Sequence, residues 1–94
     1  MTFTTKWFSN KIVSSEGYSV RTVGRAAILY EDDSHKVFVS AERLVGHGAW
    51  ALYPSDMRLD SEDGTRVANE CLRSLIVERI KAAFSFLGWE LDIS

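Results

Sequence analysis

Residues that support covalent or metal chemistry are scarce in this chain. It contains one cysteine, Cys71, and two histidines, His35 and His47. A single cysteine cannot form an internal disulfide, so nothing in the sequence requires an oxidising compartment. Two histidines with one remote cysteine do not match the ligand spacing of a zinc site. The sequence therefore predicts neither a metal ion nor a cofactor.

Catalytic motifs are also absent. No GxSxG, CxxC, HExxH or P-loop pattern occurs, although a catalytic nucleophile needs a base within hydrogen-bond reach. Cys71 adjoins the apolar side of a predicted helix, where we expect a buried, inert thiol. His47 lies between Gly46 and Gly48, which can either present its side chain at a loop tip or simply form the bend. We therefore predict that the protein is not an enzyme.

Long apolar runs and an excess of positive charge are missing as well. No stretch approaches the roughly 18 apolar residues that a membrane-spanning helix needs. Residues 1–16 contain Lys6 and Lys11 and no apolar run of signal-peptide length. The net charge is -2, which argues against a protein that follows nucleic-acid phosphates. We expect a cytoplasmic protein that binds neither membranes nor nucleic acids.

What the chain does contain is typical of a small globular protein. Of its 94 residues, 46% are hydrophobic and 26% are charged, values that disfavour disorder. We expect residues 1–94 to form a single domain. Residues 48–94 carry eight Asp and Glu against five Lys and Arg. This acidic half favours a basic protein partner.

The strongest pattern in the chain is helical and lies between residues 65 and 87. Apolar residues recur there at three- and four-residue steps, which places them along one side of a helix. The stripe consists of Ala68, Leu72, Leu75, Ile76, Ile80, Ala83, Phe84 and Leu87. Gly88 is expected to end the helix. The pattern leaves the start of the helix undecided between Thr65 and Asn69. Three residues are candidate caps: Asp60, Ser61 and Asp63.

Patterns before and after this helix predict strands: residues 18–23 and 36–41 alternate, whereas residues 26–31 are apolar on both faces, as in a central strand. Residues 18–23, 26–31 and 36–41 are separated by turns and favour a three-stranded antiparallel meander. A fourth strand is predicted over residues 49–53, ended by Pro54, with a short one over 57–59. Residues 89–93 alternate and predict a last strand. The predicted fold is α+β, a twisted antiparallel sheet with one long C-terminal helix packed on a face and a final strand.

Two acidic segments, residues 31–33 and 56–63, are candidate contact surfaces. They contain no calcium-loop pattern, and they are too polar for the burial that a general acid and base pair requires. Each is either a solvated loop or a surface for a basic partner. Trp50 is most simply a core or core-rim residue, and if exposed it would serve as an anchor. The candidate partner-binding residues are Glu31, Asp32, Asp33, His47, Trp50, Asp56, Asp60, Glu62 and Asp63.

Arg79 falls beside the apolar stripe of the predicted helix. Its stem can cover the core while its guanidinium stays in water. The alternative is a buried ion pair, for which Glu42 and Glu90 are the candidate partners.

The order of these segments resembles a known layout. The resemblance is carried by residues 17–21 (GYSVR), the pair Gly24-Arg25, residues 37–42 (VFVSAE) and 50–53 (WALY), the helical residues 72–87, and the ending 88–93 (GWELDI). This arrangement resembles small bacterial immunity proteins of polymorphic and contact-dependent toxin systems, in particular the family numbered seventy-four among the predicted immunity proteins.

The resemblance implies a binding protein. Such immunity proteins protect the producing cell by binding a cognate toxin domain, often a nuclease, and masking its functional surface. An alternative prediction comes from the tail strand, whose free edge can pair with its own copy. The protein would then be a small structural or regulatory module that acts as a homodimer.

Overall fold

The computed structural model describes residues 2–6, 11–24, 26–45, 49–61 and 63–93. Within these residues the elements follow in the order β1 (Phe3–Lys6), β2 (Lys11–Ser14), β3 (Tyr18–Val23), β4 (Ala27–Asp32), β5 (Lys36–Arg43), β6 (Ala49–Leu59), α1 (Glu70–Leu87) and β7 (Glu90–Ile93). In the described part of the chain, no helix combines the length and apolarity that crossing a membrane requires.

The seven strands form one sheet in chain order. β1 to β6 are an antiparallel meander, in which Val20 of β3 faces Tyr30 of β4 and Tyr30 faces Val37 of β5. β7 then joins β6 in parallel, with Leu91 beside Trp50. The parallel pairing follows from α1, because a helix between two strands returns the chain to the end where the first strand began. The predicted α+β fold, with one helix and a final strand, is confirmed.

β6 continues through Pro54, where the sequence predicted an end. Its register with β5 shifts, since Ser40 faces Tyr53 whereas Val39 faces Met57. The residues between Tyr53 and Met57 therefore form a bulge, a place in a sheet where proline removes no ladder hydrogen bond. The predicted strands over residues 49–53 and 57–59 are one strand.

Residues 65–67 pair with β6, although the sequence predicted a possible helix from residue 65. The N–H of Leu59 donates to the carbonyl of Thr65 at 2.8 Å, and the N–H of Val67 donates to that of Met57 at 2.9 Å. Val67 is 4% exposed and fills the core at this point. Hydrogen bonds to β6 thus hold this segment as an additional short pairing.

α1 begins at Glu70, next to the latest predicted start. Asn69 caps it, because its side-chain oxygen accepts the N–H of Leu72 at 3.1 Å. The predicted caps in the loop before residue 65 are wrong, since the helix starts several residues further on. Gly88 ends the helix as predicted, with a φ of 73° and its N–H donating to Ser85.

The core lies between α1 and one face of the sheet. From the helix it takes Ile76, Ile80, Ala83 and Phe84. From the sheet it takes chiefly Val20, Ile28, Tyr30, Val37, Val39, Leu52 and Met57, all fully buried. Two residues predicted to face inward do not, because Cys71 and Leu75 are exposed, Leu75 at 43%. Ala68 precedes the helix.

We expect Asn69→Ala to lower the free energy of unfolding by about 1 kcal/mol, because the N–H of Leu72 loses its acceptor. Asn69→Ser should retain most of the stability, since its hydroxyl can cap the same helix. Urea unfolding of the three proteins measures the difference. Equal midpoints for Asn69→Ala and the unaltered protein would show that the cap does not stabilise α1.

Candidate protein-binding surface

Strand register brings the two acidic segments of the sequence together at one end of the sheet. β4 ends at Asp32, opposite Tyr18 at the start of β3, and Glu31 faces Lys36 at the start of β5. The N–H of Asp60, which follows β6, donates to the carbonyl of Lys36 at 2.8 Å. We call this region the acidic end, and it comprises Glu16, Glu31, Asp32, Asp33, Asp60 and Asp63.

Asp32 is the structural centre of the acidic end. Its Oδ1 accepts the backbone N–H of Ser34 at 2.8 Å and that of His35 at 2.7 Å. Its Oδ2 accepts the hydroxyl of Tyr30 at 2.7 Å. The ring Nδ1 of His35 lies 3.2 Å from Oδ1. Asp32 therefore holds the β4–β5 turn, as Asp does in turns whose backbone bonds to the side chain.

Arg79 connects this turn to the helix. Its Nη1 donates to the hydroxyl of Tyr30 at 2.6 Å and lies 3.9 Å from Oδ2 of Asp32. Its guanidinium carbon lies 4.6 Å from the centre of the Tyr18 ring. The predicted ion-pair partners were wrong, because the strand order places Asp32, and not Glu42 or Glu90, beside the helix at this level. The side chain of Arg79 remains 25% exposed.

These contacts shift the pKa values of Asp32 and Tyr30. Burial alone would raise the pKa of the Asp32 carboxyl, but hydrogen bonds from Tyr30, Ser34 and His35 favour its charged form and lower the pKa. Burial, together with the hydrogen bond to Asp32, raises the pKa of Tyr30 to about 12. At neutral pH the site therefore contains a carboxylate that accepts hydrogen bonds from a neutral phenol.

The other acidic residues at this end face solvent. Glu16, Asp33, Asp60 and Asp63 are exposed, and Glu31 is half-buried. Asp60 has a φ of 67°, which Asp and Asn tolerate better than most residues. The negative charges of these exposed groups are available to a partner. Lys36 is the exposed cation among them.

A row of aromatic rings crosses the same end of the sheet. Phe86 of α1 lies 5.3 Å from Phe3 of β1, measured between ring centres. Phe3 lies 6.3 Å from Tyr18, and Tyr18 lies 5.9 Å from Tyr30. The row begins at the surface, since Phe86 is 48% exposed, and ends in the core at Tyr30. The row therefore connects α1 to the strand ends at which the acidic end lies.

Some of the predicted contact residues lie elsewhere. Trp50 is 4% exposed and packs edge-on against Phe84, with ring centres 6.4 Å apart, so it is a core residue and not a surface anchor. Asp56 lies in the β6 bulge, where it accepts hydrogen bonds from Ser40 and Arg58. His47 and Glu62 lie outside the described residues, as do Gly46 and Gly48.

The sequence did not predict the participation of Tyr18, Tyr30, Phe3 and Phe86. The aromatic row joins four elements that are distant in the chain, and only the sheet register brings them together. The available signal was the position of Tyr18 and Asp32 at strand ends, which places them at an edge of the sheet once the hairpin is paired.

Among the described residues, no metal-ligand cluster occurs, and the groove beside α1 is open. These residues contain no group of three or more His, Cys, Asp or Glu arranged to hold a metal ion. A groove of about 380 Å³ between the β6 bulge and α1 is open to solvent, and Ser55, Glu70, Arg73 and Glu78 line it together with apolar atoms of Val77. Pockets for small molecules usually enclose most of their ligand.

No protein-family model matches the chain, and comparisons with curated proteins and with solved structures find no significant match.

We expect Asp32→Asn to lower the free energy of unfolding at neutral pH by about 1–3 kcal/mol, because a charged acceptor of several hydrogen bonds becomes neutral. The pKa of Asp32 is lower in the folded than in the unfolded protein. The stability that the Asp32 carboxylate provides is therefore complete above its unfolded pKa of about 3.9. It is lost as the pH falls through the folded pKa. The stability of Asp32→Asn should decline less in acid.

Asp33→Asn is the matched control, since Asp33 is exposed and adjacent in sequence. Urea unfolding at several pH values between about 7 and 2 compares the three proteins. An unchanged acid dependence in Asp32→Asn would show that the network does not stabilise the carboxylate.

Proposed function

We propose that this protein is an immunity protein that binds a cognate bacterial toxin domain, for which a nuclease is the leading candidate, and neutralises it by masking a functional surface. The observation that carries the proposal is the acidic end, where four exposed carboxylates from three separate segments meet. A concentrated negative surface on a small protein fits a basic partner. Nuclease domains carry basic faces because they bind phosphates.

The distribution of charge supports the same partner. At the acidic end, the exposed carboxylates of Glu16, Asp33, Asp60 and Asp63 outnumber the exposed cation, Lys36. Such an excess of negative charge orients an approaching basic protein toward this end and raises the association rate. It contributes most at low ionic strength, because salt screens exposed charges.

The contacts of Asp32 and His35 favour a binding role over a catalytic one. A carboxylate beside a histidine can orient a general base. Here, however, both oxygens of Asp32 also accept hydrogen bonds that hold the turn or the Tyr30 hydroxyl. The contact between Asp32 and His35 is explained by the structure of the β4–β5 hairpin, and we assign it no reaction.

A homodimer through β7 is the second candidate. Among the described residues β7 pairs only with β6, so its other edge is open, and Ile93 is 43% exposed. An antiparallel copy would, however, bring Glu90 and Asp92 of both strands together, and like charges on facing strands repel. Charged edge strands usually prevent such pairing. Light scattering at high protein concentration measures the oligomeric state, and a dimer would favour the second candidate.

We expect a tagged copy, purified from its native bacterium, to co-purify in near-equal amount with one protein that carries a C-terminal toxin domain. Mass spectrometry identifies that protein.

Co-expression of the chain with the toxin domain encoded beside its gene should restore growth to cells that the toxin otherwise arrests. If that domain neither binds nor is neutralised, the immunity proposal is wrong.

Reversing charge at the acidic end should slow association with the toxin domain. We expect the double variant Asp33→Lys/Asp63→Lys to lower the association rate about tenfold or more at low salt, and to weaken its dependence on salt. Asp60→Asn adds a milder test, because asparagine tolerates the left-handed backbone at that position.

The matched control reverses the same number of charges away from the acidic end. Glu90 and Asp92 are exposed on β7, so Glu90→Lys/Asp92→Lys changes the net charge equally. Surface plasmon resonance at several salt concentrations gives the rates. Equal slowing in both double variants would show that net charge, and not the acidic end, directs association.

A further inference from the structure

The exposed side of α1 is only half polar. Along α1, steps of four, seven and four residues separate Cys71, Leu75, Ala82 and Phe86, so these residues lie along one line of the helix. Leu75 is 43% exposed and Phe86 is 48% exposed. A helix that packs on one sheet needs one apolar side. This second apolar line, which we call the outer stripe, lies outside the buried residues that α1 contributes to the core.

The outer stripe is continuous with the acidic end. Arg79 lies between Leu75 and Ala82 on the helix, and it contacts Tyr30 and Asp32 at the acidic end. At the other end of the stripe, the ring of Phe86 lies against Phe3. Phe3 pairs with Ser14, which precedes the turn that presents Glu16. Acidic side chains thus border the stripe at two places.

We infer that the outer stripe is the anchor of the toxin-binding surface, and that Phe86 and Leu75 enter an apolar depression on a toxin domain whose surrounding surface is basic. This inference rests on the proposed function and deepens it. Interfaces are stabilised mainly by a few apolar or aromatic side chains in a desolvated centre, surrounded by a polar rim. The stripe supplies such a centre, and the acidic end supplies part of the rim.

The charge of Arg79 does not oppose a basic partner. Its guanidinium donates to Tyr30, lies near the Asp32 carboxylate, and covers the Tyr18 ring. The cation is therefore compensated within the protein. Asp33, which follows Asp32 in the chain, and Glu16, which lies two residues before Tyr18, are exposed and remain to interact with a partner.

A second copy of this chain fits the stripe less well than a basic protein does. The outer stripe alone is small compared with the roughly 800 Å² that each partner buries in a stable interface. The contact must therefore extend over neighbouring surface, which includes the acidic end. In a symmetric dimer the same patch is used by both copies, so both sets of carboxylates would be brought to one contact. Like charges brought together at an interface disfavour association.

The experiment measures the binding kinetics of the purified toxin domain encoded beside the gene. We expect Phe86→Ala to raise the dissociation rate about 30-fold or more, and Leu75→Ala to raise it several-fold, with little change in either association rate. Charge reversal at the acidic end acts mainly on association, so the two parts of the surface give different kinetic effects.

Leu44→Ala/Val45→Ala is the matched control, because Leu44 and Val45 are exposed apolar residues that follow β5, away from the acidic end. Dissociation from this variant should be unchanged. Thermal unfolding of each variant checks the fold. Since Phe86 also contacts Phe3, Leu75→Ala provides a second test that does not involve the aromatic row.

Each outcome separates the inference from the proposed function. Unaltered dissociation of Phe86→Ala and Leu75→Ala from a toxin that binds the parent protein would overturn the inference and leave the immunity function in place. A toxin domain that does not bind the parent protein would overturn both. A dimer that Leu75→Ala dissociates, measured by light scattering, would assign the stripe to a second copy and likewise overturn the inference.

Discussion

The packing of one helix against one face of the sheet is the constraint on which the rest of this structure depends. A sheet of seven strands must bury its apolar face, and α1 is the helix that covers it in the described chain. Ile76, Ile80, Ala83 and Phe84 meet that face. The helix also determines where β7 joins the sheet, because the crossover returns the chain parallel to β6. It further presents Arg79 to the strand ends.

The contact between Arg79 and the β4 end joins the fold to the proposed function. Tyr30 lies between the helix and Asp32, accepting a hydrogen bond from Arg79 and donating one to the carboxylate. This chain of hydrogen bonds fixes the turn whose next residue, Asp33, is exposed. The same residues that attach the helix to the sheet therefore also hold part of the acidic surface in place. An interface whose charges are held in advance loses less entropy when a partner binds.

Most of the architecture could be predicted because the patterns that carry it are local. Alternation, one short apolar run and the turns between them identified the strands over residues 18–41, and the glycine after Leu87 identified the helix end. The prediction failed where long-range pairing overrode local pattern. Hydrogen bonds to β6 kept Val67 out of the helix, and the register shift opposite β5 allowed Pro54 to remain within a strand.

The sequence by itself determined the α+β class, the apolar stripe of the helix and the presence of two acidic segments, because each depends on residues close together in the chain. Only the tertiary structure decided that these segments meet, that Trp50 is buried and that Phe86 is exposed beside Phe3. The physical reason is that a contact surface is assembled from the ends of paired strands. Its composition is set by register and by the rotation of the helix, both of which depend on packing across the whole domain.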